Sequence, residues 1–180
     1  TMVISIYVSN DYKLISNRAE LYEQALQTIV GRTDKVRSGL QQSEHEKIFG
    51  WLQQIAFKSH MREGERRIFT TAQAIEWAGA GFETVGSYIQ QGELPIVTSM
   101  GLNSKDEEEY RFSHLTYQEY LTARELVERA RKSHFDINTI TAILGSPPTA
   151  AFADVRWQVL LQLAADCFIV TEASAGAAKE

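Results

Sequence analysis

The stretch from Glu109 to Ala123, Glu-Tyr-Arg-Phe-Ser-His-Leu-Thr-Tyr-Gln-Glu-Tyr-Leu-Thr-Ala, leaves a chain little choice of local structure. Its first half alternates: Tyr110, Phe112 and His114 face one way, and Arg111, Ser113 and Leu115 the other. Period two with aromatic residues on one side is a strand pattern. From Tyr117 the period changes. Tyr117, Tyr120, Leu121 and Val127, widened by Ala123 and Leu126, make the apolar stripe of a helix. Thr116-x-x-Glu119 has the form of a capping box, in which the hydroxyl takes the N–H of Glu119 and the carboxylate reaches back to the N–H of Thr116. A strand therefore runs straight into a helix, and His114 falls two residues before the expected cap. The amides and positive dipole end of a helix attract anions, phosphate above all. A structural histidine, hydrogen-bonded at a strand end, is the plainer alternative.

The chain around this stretch is mainly α. Asn17, with Glu20 three residues on, is a candidate helix cap. Leu21, Tyr22, Ala25, Leu26, Ile29 and Val30 then share a face up to an expected stop at Gly31, and Arg32 to Gln42 forms a polar loop. A second box, Ser43-x-x-Glu46, opens a helix carrying Ile48, Trp51, Leu52, Ile55 and Ala56 and stopping by Gly64. Thr1 to Val8 has the look of a helix tail. These segments form a helical domain, residues 1–65.

Residues 66–131 follow the order of a winged helix. A short strand at 66–70 leads to a third box, Thr70-x-x-Gln73, and a helix to Ala78. Gly79-Ala80-Gly81 turns the chain, and a second helix carries Phe82, Val85, Tyr88 and Ile89 up to Gly92. A hairpin pairs 94–100 with 110–115 across a polar turn at 103–108, and the long helix closes the unit. Residues 132–180 begin a further helical segment. A short helix runs over 137–144, Pro147-Pro148 breaks the chain, and a helix at about 154–168 precedes a small, polar tail from Ala173. Trp51, Trp77 and Trp157 are expected to anchor three successive helical units.

Chemistry is sparse. A formal net charge of -5 disfavours non-specific attraction to nucleic acid or anionic membrane. Cys167 is the only cysteine, so an internal disulfide and a cysteine-based zinc site are both excluded. It lies in an apolar helix and reads as core. His45, His60 and His134 fall on polar faces or near helix ends, where solvated or local roles are expected. There is no Gly-x-x-x-x-Gly-Lys-(Ser/Thr) phosphate loop, and Gly31-Arg32-Thr33-Asp34-Lys35 has the wrong spacing. No catalytic residue and no metal ligand are assigned, and the chain is expected to be no enzyme.

The segment Phe112-Ser113-His114-Leu115-Thr116-Tyr117-Gln118-Glu119-Tyr120-Leu121-Thr122-Ala123 resembles a signature of the NACHT family of nucleotide-binding signalling proteins. That family includes the NOD-like receptors. Leu21-Tyr22-Glu23 and Trp51-Leu52-Gln53-Gln54-Ile55-Ala56 resemble its preceding helical domain, and Arg156-Trp157-Gln158-Val159-Leu160 the segment that follows. The resemblance implies a regulatory piece without its nucleotide-binding core, cytoplasmic, packed on its own upstream nucleotide-binding domain and able to oligomerise on activation. It implies that His114 touches a phosphate of ADP in the parent protein, where ADP or ATP with Mg is the cofactor. The fragment itself is expected to take no cofactor, no nucleic-acid partner and no membrane partner. Gln118 and Glu119 are expected to pack and cap the helix. In the family a nucleotide-contacting proline precedes such a segment, and the resemblance places it just upstream of Thr1.

Two other readings stay open. One is a winged-helix DNA-binding regulator, against which stand the lack of Lys or Arg in Phe82–Gln91 and the acidic run Asp106–Glu109. The other is a nucleotide-independent helical interaction scaffold.

Overall fold

A computed structural model describes residues 17–36, 42–144 and 154–177. The expected helix tail at the start and the Pro147-Pro148 break lie outside these residues. Seven helices and three strands occur among the described residues: α1 (Arg18–Val36), α2 (Gln42–Met61), β1 (Ile68–Thr70), α3 (Thr71–Ala78), α4 (Phe82–Gln90), β2 (Val97–Leu102), β3 (Glu108–Phe112), α5 (Leu115–Lys132), α6 (Ile137–Leu144) and α7 (Val155–Ala177). No described helix is long and apolar enough to cross a membrane.

The helix-turn-helix forms where its caps place it. The hydroxyl of Thr70 accepts from the N–H of Gln73 at 3.3 Å, and the Gln73 carboxamide accepts from the N–H of Thr70 at 3.0 Å. This reciprocal box starts α3. Gly79 ends it with φ at +90° and ψ at 173°, a conformation that costs a side-chain-bearing residue about 1–3 kcal/mol. α4 then packs Phe82, Val85, Tyr88 and Ile89 inward.

β3 is the centre of an antiparallel sheet ordered β1-β3-β2, with Phe69 opposite Tyr110 and Val97 opposite Phe112. The expected alternation holds: Tyr110 and Phe112 are buried and Arg111 is exposed. Phe69 lies 5.8 Å from Tyr110, 5.6 Å from Phe112 and 6.1 Å from Phe82, centroid to centroid. Each such pair adds about 0.5–1.5 kcal/mol beyond its buried area. The register shifts between Ser99 and Gly101, where Gly101 takes φ +85°. The hairpin sits further toward its tip than expected. Leu94 to Ile96 form a turn closed by the N–H of Val97 on the Leu94 carbonyl, so β2 starts only at Val97. At the tip, Asn103 Oδ1 accepts the N–H groups of Lys105 and Glu107, which tightens the turn and lengthens both strands.

α5 is the spine. Tyr117, Tyr120, Leu121, Ala123, Leu126 and Val127 are all buried, as their spacing predicts. α2 packs along it on one side and α7 on another, and α1 rests chiefly on α7. Leu52, Ile55, Leu121 and Leu160 are fully buried in one cluster, which also takes in Phe69, Phe112 and Cys167. This core runs across the divisions expected at 65/66 and 131/132. α2 thus supplies the helix that precedes β1 in the winged-helix order.

Several boundaries differ from the sequence reading. Gly31 does not stop α1, which continues to Val36. A mid-helix glycine costs about 1 kcal/mol against alanine, which a helix of this length absorbs. α7 runs to Ala177, well beyond 168, because the alanines of the supposed tail are good helix formers. Asn17 does cap α1, its Oδ1 accepting from the N–H of Ala19 at 2.7 Å. α6 matches its expected bounds. The side chain of Ser43 lies outside the described residues, as does that of His45.

Candidate functional site

The strand-to-helix junction is sharper than the sequence implies. Ser113 is fixed as β3 ends: its N–H meets the Ile96 carbonyl at 2.9 Å and its hydroxyl donates to the Pro95 carbonyl at 2.6 Å. The chain must turn at the next residue. His114, with extended φ −128° and ψ 136°, is therefore itself the cap residue of α5. Its carbonyl accepts the N–H groups of Tyr117 and Gln118 at 3.2 and 3.5 Å. Thr116, at the second helical position, does not form the expected capping box with Glu119. The box needs its threonine outside the helix, and here the helix has already begun.

The His114 imidazole is not consumed by capping. It is exposed and stands edge-on to the ring of Tyr117, centroids 5.1 Å apart at 88°. The amides of Leu115 and Thr116, both on exposed residues, have no acceptor within the helix by its geometry. The guanidinium of Arg67, the residue before β1, donates through Nη2 to the Phe112 carbonyl at 3.1 Å. An exposed imidazole, a helix N-terminus and a guanidinium close to the last residue of β3 together form a donor-rich, positive end. Phosphate oxygens fit that chemistry.

Behind this end the motif residues are structural. Gln118 is fully buried and donates from Nε2 to the Arg66 carbonyl at 2.7 Å. The Ser59 hydroxyl of α2 donates to the same carbonyl. The link between α2 and β1 is thus stapled to α5 through one peptide oxygen. Glu119 makes no cap, and partial burial holds its carboxyl above the usual range.

Other candidates resolve as follows. Cys167 is buried, and burial pushes its thiol up to about 12, so it is core and not a nucleophile. His134 is exposed, as expected. His60 is not solvated: it is 5% exposed, with Trp157 edge-on at 5.7 Å. α7 covers it, a contact that no local pattern reveals. Trp51, Trp77 and Trp157 pack against the core half-buried. Among the described residues no group of three histidine, cysteine or acidic side chains could hold a metal ion.

One polar cluster escaped the sequence reading. Glu23 of α1 accepts through a single carboxylate oxygen from both the Tyr120 hydroxyl and Arg124 Nη1 of α5. The guanidinium also lies 5.8 Å from the Phe49 ring of α2. The only sequence signal is the i, i+4 spacing of Tyr120 and Arg124; their partner lies about a hundred residues away.

A helix, a short strand, a helix-turn-helix and a hairpin closed by a long helix define a winged helix-turn-helix module. The chain belongs to the family of winged helix-turn-helix domains C-terminal to NACHT, whose model matches residues 18–126, more than half of the chain. The match takes in α1 and α2 together with the hairpin and most of α5. Neither a curated protein nor a solved structure gives a significant match.

Proposed function

We propose that this chain is the regulatory winged-helix part of a NACHT protein, and that it reports through His114 whether ADP or ATP occupies the upstream nucleotide-binding domain. The observation that carries the reading is His114 itself: it caps the N-terminus of α5 through its backbone, while its imidazole is exposed, takes no part in the cap and stands edge-on to Tyr117. Its N–H can donate to a phosphate oxygen beside the free amides of the helix, while Arg67 adds positive charge. Such a contact to ADP favours a closed arrangement with the nucleotide-binding domain. ATP, which differs at that end of the phosphate chain, biases the module toward release, and release permits self-association of the parent.

The fragment alone carries no phosphate loop and is not an ATPase on this reading. It acts in the cytoplasm, where nucleotide is available. DNA binding is disfavoured because the exposed positions of α4, including Glu83, Thr84 and Gln90, offer no cation, and the tip of the hairpin is acidic.

The test uses the full-length protein and this chain in parallel. A charge-assisted contact contributes roughly 1.5–3 kcal/mol, so His114→Leu should shift closed-to-open equilibrium by about 10- to 100-fold. Retained ADP should fall and spontaneous oligomers should rise. The same change in this chain should leave its melting temperature nearly unchanged. A full-length mutant that stays monomeric and ADP-bound, with a fragment that unfolds, makes His114 a structural residue.

A further inference from the structure

α1 is held to the body on different terms from α2. Among the described side chains, α2 buries Ile48, Phe49, Leu52, Ile55 and Phe57, whereas two of the four buried apolar residues of α1, Ala19 and Ala25, are alanines. Among the described residues α1 leans on α7 more than on α2. Between α1 and α2 lies a cleft of about 540 Å³ reaching Gln27, Gln53 and Glu128. On the other flank of Glu23 a second cavity, about 300 Å³, reaches Cys167 and Val170. The Glu23–Arg124 pair stands between the two, lining both. Among the described side chains, a further ionic tie of α1, Arg18 to Asp166 at 3.6 Å, is half exposed on the arginine side and contributes little.

We propose that α1 is a releasable arm, latched to α5 by Glu23, which opens while the winged helix stays folded. The latch joins two charge-assisted hydrogen bonds on one oxygen, partly shielded from water, so its rupture is a discrete event. Beside Glu23, a cleft lined largely by polar side chains separates α1 from α2. Elements with few buried apolar contacts open locally below the global unfolding free energy. α1 lies on the side of the module that leads to NACHT, so opening the arm changes how far the winged helix can travel. The proposal does not depend on nucleotide sensing by His114.

Hydrogen exchange followed by mass spectrometry on the whole chain tests it, comparing wild type, Glu23→Leu and Tyr120→Phe. Amides of residues 20–31 should exchange about tenfold to a hundredfold faster in Glu23→Leu, and faster to a smaller extent in Tyr120→Phe. Amides of 48–57 and 117–127 should keep their wild-type rates. If Glu23→Leu fails to fold, Glu23→Gln, which keeps shape and one acceptor, should give the same selective effect. Equal acceleration in α1, α2 and α5, or no acceleration in α1, overturns the proposal.

Discussion

Gly81 packs against the indole of Trp51: a β-carbon built on it would fall 2.1 Å from Cζ2 of the ring. Its φ of −58° is open to any residue, so space alone demands glycine here. Gly81→Ala should therefore displace Trp51 and cost about 1–3 kcal/mol, lowering the melting temperature by roughly 2–12 °C. Gly79, two residues earlier, has open space around it but φ +90°. Gly79→Ala should cost about 1–3 kcal/mol through backbone strain and leave tryptophan fluorescence unchanged. Thermal melting with fluorescence detection separates the two.

Gln118 should prove the stability residue of the motif, in contrast to His114. It is buried and bonded to the link peptide at Arg66. Gln118→Glu places a carboxylate against a carbonyl oxygen in the core and should destabilise by about 3 kcal/mol or more at neutral pH. The introduced carboxyl is held above its ordinary value in the folded state. Stability is then recovered as pH falls and lost as pH rises. Denaturant melts at pH 4.5 and 7.5 should show the gap narrowing in acid.

Cys167 should resist thiol reagents in the folded chain and react once it is unfolded. Its folded value, about 12, lies above the ordinary 9.0, so the folded state disfavours the thiolate. A raised value contributes stability below pH 9 and loses it as pH climbs toward 12, at up to about 1.4 kcal/mol per pH unit. Cys167→Ala should flatten the alkaline limb of the stability curve. An equal alkaline loss in the variant assigns the effect to other groups.

His134 and Phe135, which follow α5, both adopt left-handed backbone, φ 53° and 59°. The N–H of Phe135 returns to the Ala130 carbonyl at 2.6 Å, so the conformation is locked by the helix end. His134→Gly should stabilise the chain by up to about 1 kcal/mol, since its exposed ring gives up little packing. Chemical denaturation of the variant checks the sign.

Local pattern determined the elements. The alternation at Tyr110 and Phe112, the box at Thr70 and Gln73, and the stripe from Tyr117 to Val127 all describe interactions between residues a few positions apart, and these appear where the spacing puts them. The family signature likewise lies in one unbroken segment. Tertiary structure decided what neighbours in sequence cannot see. The carbonyls of Pro95 and Ile96 fix Ser113, end β3 early and make His114 the cap in place of Thr116. α7 covers His60. Glu23 meets Tyr120 and Arg124 across separations of 97 and 101 residues. A hydrogen bond between distant segments depends on how whole helices pack, and packing follows the summed burial of many side chains, which no single spacing encodes.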